Sequence, residues 1–182
     1  MSNRLKIIYT PEEVHSLVNK IALAIETDYA AQTPPATDNP PVLIGALKGA
    51  FVFMSDLIKA MRMDVEVDFV QTTSYGRRDQ PTTEVLITRD ITSAIHDRDV
   101  IIVEGIVDRG HTAQALVDYL SSKGPASLKF CSFLVREGVE RRVQVDYSGA
   151  MVGPGFVVGY GMDFKERFRG LGGIYVYERE EA

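Results

Sequence analysis

The chain has 182 residues, 45% hydrophobic and 25% charged, and its 20 basic and 25 acidic side chains leave a net charge of −5. That length fits one domain with a sizeable core, and the acidic balance argues against a nucleic-acid or anionic-membrane surface. A single cysteine excludes an intrachain disulfide and a cysteine-based zinc cluster; with no apolar run near membrane-span length, a reduced, cytoplasmic protein is expected.

The first predicted element is a helix opened by Thr10-Pro11-Glu12-Glu13, with Thr10 as N-cap, Pro11 in the first turn and Glu13 completing a capping box. Val14, Leu17, Val18, Ile21 and Ile25 follow at helical spacing. Gln32 to Pro41 holds four prolines and no periodicity, and predicts a surface loop. Val42 to Ala46 predicts a buried strand, Leu47-Lys48-Gly49-Ala50 a turn, and Phe51 to Met61 a helix. A strand is expected from Val65 to about Thr73, then a polar, flexible loop from Ser74 to Thr83 and a strand from Glu84 to Arg89. The aliphatic run from Val100 is the strongest strand signal; it leads into a helix from about Thr112 to Ser122 that Gly124-Pro125 closes. Leu128 to Val135 predicts another buried strand, with Cys131 as a small core residue. Short strands are expected at Phe156 to Val158 and Ile174 to Tyr177. Strands alternating with helices predict an α/β domain with a mainly parallel sheet.

Ligands of such sheets bind beyond the carboxyl ends of the strands. Unusual residues cluster there: Lys48-Gly49, Ser74-Tyr75-Gly76, Glu104 to Thr112, Arg136, and the segment from Gly159 through Asp163 to Arg169. The turn from Asp108 to Thr112, between a strand and a helix N-terminus, is an anion cradle. Carboxylates beside it suggest a sugar or a metal as well as a phosphate. No Walker-type phosphate loop, dinucleotide fingerprint or Gly-x-Ser-x-Gly elbow occurs, and His15, His96 and His111 lack metal-ligand spacing.

Five ordered motifs resemble the 6-oxopurine phosphoribosyltransferases of the hypoxanthine-guanine type, across about Leu5 to Tyr177. They are Leu47-Lys48-Gly49, Ser74-Tyr75-Gly76, Val100 to Thr112, Phe156 to Asp163, and Arg169. The resemblance implies the type I phosphoribosyltransferase fold in one domain over residues 1–182. A flexible loop would span about 74–83, and a small hood would form from the N-terminal segment and about 150–182. It implies transfer of ribose 5-phosphate from phosphoribosyl pyrophosphate to hypoxanthine or guanine, with Mg²⁺, in a homodimer or homotetramer. Asp108 would act as general base or acid at the purine and Glu104 would hold the ribose hydroxyls, directly or through the metal. The backbone of Arg109, Gly110, His111 and Thr112, with the Thr112 hydroxyl, would hold the 5′-phosphate. Lys48, Gly49, Ser74, Tyr75 and Arg169 would serve the pyrophosphate, the Ser74-Tyr75 loop closing over the reaction. Arg136, Phe156 and Val157 would bind the purine, and Asp163 would join Glu104 at the metal.

Other roles fit some of these residues. Asp108 also suits an N-cap for the following helix; Lys48 suits a solvated surface, and Phe156 a core strand. The apolar start Phe51-Val52-Phe53-Met54 suits an interface or the core. Three positions depart from the family pattern. Gly105 stands where a second acidic residue is usual, and the lost contact predicts a penalty of about ten- to a hundredfold. Arg109 replaces a small hydroxyl residue and is expected to contact the phosphate, partly compensating for Gly105. Arg136 aligns with the lysine that reads the purine O6, which leaves base preference open. A nucleotide-binding regulator with little turnover, and a transferase for another base, are the competing readings.

Overall fold

Two sheets of unequal size organise the chain in the computed structural model, which describes residues 4–31, 39–75 and 84–178. In the larger sheet, strand β2 (Val42–Leu47) lies between β3 (Glu66–Tyr75) and β5 (Asp99–Val107). Outward from β5 follow β6 (Ser127–Arg136) and β7 (Tyr147–Val152), all parallel. Strand β4 (Glu84–Arg89) closes the other edge and is antiparallel. The sheet is therefore the mainly parallel one expected.

Both faces of this sheet are covered, which is why its central strands are aliphatic without a polar face. Leu43, Ile101 and Val103 point to one side and join a core with Ile21, Ile25, Phe53 and Leu57 from helices α1 (Pro11–Ala30) and α2 (Phe51–Ala60). Val42, Ile44, Val100 and Ile102 point to the other side and pack with Leu116 and Leu120 of α3 (His111–Ser121). The Thr10 capping box forms as the sequence predicts: Glu13 donates its N–H to Thr10 Oγ1, and the Glu13 carboxylate accepts from the Thr10 N–H at 2.8 Å. In α2, Phe53 and Met54 are buried while Phe51 is half-exposed, so the apolar start of this helix serves the core first.

The smaller sheet is antiparallel. It sets β9 (Ile174–Glu178) between β1 (Arg4–Tyr9) and β8 (Phe156–Val158). Tyr9 donates its hydroxyl to the Met151 carbonyl at 2.9 Å, tying this sheet to the end of β7.

Strands β1 and β7 are additions to the expected elements. In β7, Tyr147, Gly149 and Val152 face inward, but a Cβ on Gly149 would come within 2.6 Å of the Phe133 carbonyl oxygen. Close backbone approach thus selects a glycine where strand patterning favours a large residue. Strand β3 also runs further than expected. Ser74 and Tyr75, expected in the loop, continue its ladder opposite Val85 and Glu84. The rest of that expected loop, residues 76–83, lies outside the described residues, as do residues 32–38 of the proline-rich segment and 179–182 of the expected hood. No helix among the described residues is long and apolar enough to cross a membrane.

Candidate active site

Because β2, β3, β5 and β6 are parallel, their carboxyl ends share one edge of the sheet. Lys48, Ser74, Asp108 and Arg136 lie at those ends. The residues grouped by the strand-end motifs are therefore brought to one side of the molecule.

At the end of β5 the chain passes through Asp108 and Arg109 to Gly110, which caps α3 in the left-handed region with φ 78°. A residue with a Cβ adopts that conformation poorly, which accounts for the glycine. Asp108 is thus not the N-cap. No side chain caps α3, and its first turn carries no acidic residue. Its N-terminal N–H groups and dipole face outward, open to an external anion. Glu104 and the run from Ile106 to Ala113 line a cavity of about 380 Å³ at this turn.

Glu104 is the most perturbed acid at this edge. Burial pushes its carboxyl up to about 7, opposed by the Gly105 N–H, which donates to Oε2 at 3.1 Å. No cationic side chain among the described residues pairs with it. A carboxylate poised this way favours an incoming cation or a hydroxyl donor. Neighbouring Gly105 permits a tight approach: a Cβ there would sit 2.9 Å from the Gly49 carbonyl oxygen, and one on Gly161 2.5 Å from the same atom. The turn after β2, the interior of β5 and the Gly159-Tyr160-Gly161 turn therefore meet backbone to backbone at Gly49.

Beside that junction lies a cation cluster. Arg169 bonds the Gly161 carbonyl at 2.7 Å and pairs with Asp163 at 2.8 Å and Glu166 at 3.3 Å. Its Nε is buried with no partner among the described residues. Lys48 reaches Glu166 from the other side at 3.0 Å. Glu166, which the strand-end motifs did not single out, is thus shared by both expected pyrophosphate cations. Hydrogen bonds from Lys48 and then Arg169 hold its carboxyl below the usual range. The i,i+3 spacing of Asp163, Glu166 and Arg169 was the available signal. Asp163, expected at a metal, is engaged with Arg169 and accepts the Glu166 N–H at 2.8 Å. No three His, Cys, Asp or Glu side chains come together to hold a metal among the described residues.

On the base side, the Arg136 Nε pairs with Asp108 Oδ1 at 3.0 Å, and its Nη1 donates to the Gly153 carbonyl. Two residues expected to act on the purine are thus already joined. Phe156 is half-exposed and meets Phe164 edge-on at 5.2 Å, while Val157 is buried. Arg141 and Arg142, also outside the motifs, stand beside the cradle: the Arg142 N–H donates to the Arg109 carbonyl at 3.2 Å.

Residues 10–165 match the family described as the phosphoribosyl transferase domain. The chain is 36% identical over 179 residues to the hypoxanthine-guanine phosphoribosyltransferase of Aquifex aeolicus (strain VF5), spanning 96% of each. It is 34% identical to the Bacillus subtilis (strain 168) enzyme of the same name, spanning 91% of this chain and 89% of that one. A crystal structure of a hypoxanthine-guanine phosphoribosyltransferase from Bacillus anthracis str. 'Ames Ancestor' superposes with a TM-score of 0.84 at 33% identity, covering 97% of this chain and 100% of that one.

Proposed function

The chain belongs to the phosphoribosyltransferase family, and from that premise we propose that it transfers ribose 5-phosphate from phosphoribosyl pyrophosphate to hypoxanthine, guanine or both. The carrying observation is the uncapped N-terminus of α3, which lines one cavity with Glu104 and Asp108 on the sheet edge that also bears Lys48. That set matches a substrate with a phosphate at one end, a sugar in the middle and a pyrophosphate at the other.

In this reading the N–H groups from Arg109 to Thr112 hold the 5′-phosphate, with the Thr112 hydroxyl. Lys48, Gly49 and Arg169, with Ser74 and Tyr75, receive the pyrophosphate. The carbon–oxygen bond to pyrophosphate breaks as a carbon–nitrogen bond to the base forms, and the base loses a proton. In this proposal Asp108 takes that proton, and Arg136, which already pairs with Asp108, also holds the base carbonyl. The half-exposed Phe156 ring offers a stacking surface, and Val157 its backbone. Positioning and charge complementarity carry the reaction, since the protein makes no covalent bond.

Mg²⁺ fits this donor set. Glu104 is a part-buried carboxylate without a cationic partner among the described residues, Asp163 would be freed once Arg169 turns to an anion, and a cation of this kind takes one or two carboxylates plus substrate oxygens. When bound, it would neutralise charge on the pyrophosphate and orient the ribose hydroxyls. A single domain with the smaller sheet as a hood, a homodimer or homotetramer and a cytoplasmic location belong to the same proposal.

The test is a panel of hypoxanthine, guanine, xanthine, adenine and uracil with phosphoribosyl pyrophosphate and Mg²⁺, following pyrophosphate release. Release with hypoxanthine or guanine is expected. Nucleotide binding without release for any base would replace the enzyme with a regulator. Asp108→Asn should lower kcat by about a hundredfold or more while leaving nucleotide affinity within about tenfold; equal loss of both would make Asp108 structural.

A further inference from the structure

Beyond the cradle lies a larger cavity of about 630 Å³, lined by Arg109, His111 and the loop from Gly138 to Arg142. Three guanidinium groups and an imidazole face a single carboxylate, Glu140. The Arg109 and Arg142 side chains have no acceptor among the described residues, and Arg141 makes one bond, to the Arg136 carbonyl at 3.3 Å. In a chain of net charge −5, a cavity with this unbalanced positive wall is a local exception. Unpaired arginine forks in one concavity are suited to phosphate oxygens, which accept two parallel N–H bonds from each.

The cavity continues the substrate site. Arg109 and His111 line it and also line the smaller cavity at the start of α3. The arginine loop is packed directly on the cradle: Arg142 bonds Arg109 through the backbone, and a Cβ on Gly110 would meet Val143 at 3.3 Å and the Arg142 nitrogen at 3.5 Å. A phosphate held on the α3 N–H groups would therefore have the arginine wall on its outer side. The 5′-phosphate of a transfer substrate or product ends there, and nothing in that reaction occupies the space beyond.

The geometry points to a polyphosphate extension of the cradle, which takes the β- and γ-phosphates of a purine nucleoside 5′-di- or triphosphate. The inference rests on the proposed placement of the 5′-phosphate. Such a nucleotide would fill the purine, ribose and α-phosphate positions and gain the arginine wall as well. It would bind more tightly than the monophosphate product and compete with phosphoribosyl pyrophosphate, so the site would sense the supply of more highly phosphorylated purine nucleotides.

The test compares the affinities of GMP, GDP and GTP by calorimetry on the wild-type chain, on Arg142→Glu, and on Arg141→Ala combined with Arg142→Ala. GDP and GTP are expected to bind about tenfold or more tighter than GMP to the wild type. Both variants should erase that increment, so that on each variant GDP and GTP bind no more tightly than GMP does. Equal affinity of the three nucleotides for the wild type overturns the extension and leaves the transferase reading intact. An increment that survives in Arg142→Glu, or a parallel loss of GMP and GDP binding, also overturns it. Failure of GMP itself to bind would instead remove the reading on which the extension rests.

Discussion

Glu104 shows how a single residue is set for its task by its surroundings. Burial raises its carboxyl to about 7, so the folded chain holds this proton more tightly than the unfolded chain does. The stability contribution is complete below the ordinary carboxylate range and is lost as pH rises through about 7. Ionising Glu104 in the folded chain costs roughly 3 kcal/mol against that reference. Glu104→Gln cannot ionise, so its stability relative to the wild type should rise between about pH 5 and about pH 8. Urea unfolding at both pH values measures this, and a pH-independent difference would contradict it. A cation reverses the preference, so Mg²⁺ should narrow the gap at the higher pH; no effect of Mg²⁺ there would remove Glu104 from the metal.

At the scale of elements, three backbone segments meet at Gly49, and this gives Gly105 a meaning that motif comparison did not supply. The motif reading sees a missing carboxylate. The packing adds that a Cβ at this position meets the Gly49 carbonyl oxygen at 2.9 Å, against backbone rather than a side chain that can swing away. Gly105→Asp should therefore displace the turn after β2 and cost about 1–3 kcal/mol from overpacking, seen as a fall in Tm of several degrees. In the reverse reaction the KM for pyrophosphate should rise, because the same turn carries Lys48 and Gly49. A gain in kcat/KM at unchanged Tm would show that the turn yields freely and that only the carboxylate was lacking. The elements most legible in the chain were those with their own local signals: the Thr10 capping box, the Val100 aliphatic run and the Gly124-Pro125 stop. Strands β1 and β7 were not, because β1 depends on β9 and β7 on the Phe133 backbone for its inward face. The strand-end motifs were legible because a parallel sheet gathers its carboxyl ends. The ion pairs that join them were hidden, since Asp108 and Arg136 are 28 positions apart and Lys48 and Glu166 are 118.

For the whole molecule, net charge and local charge have opposite signs. The chain carries −5, yet Lys48, Arg109, Arg136, Arg141, Arg142 and Arg169 are gathered at or beside the site. An acidic body repels anions in general, while the cationic edge attracts them over a short range. Within that edge, Glu166 and Asp163 together neutralise Lys48 and Arg169, and Asp108 neutralises Arg136. The unpaired charge is left mostly at the cradle. Screening should therefore act on the phosphorylated substrate and hardly at all on the uncharged base. Raising KCl from about 0.05 to about 0.5 M, at fixed free Mg²⁺, shortens the screening length to a few ångströms. The KM for phosphoribosyl pyrophosphate should then rise several-fold while the KM for hypoxanthine or guanine stays within about twofold. Parallel changes in both constants would point to a general effect on folding or assembly. No change in either would mean that contact hydrogen bonds alone, not the field of the arginine-rich edge, hold the phosphate.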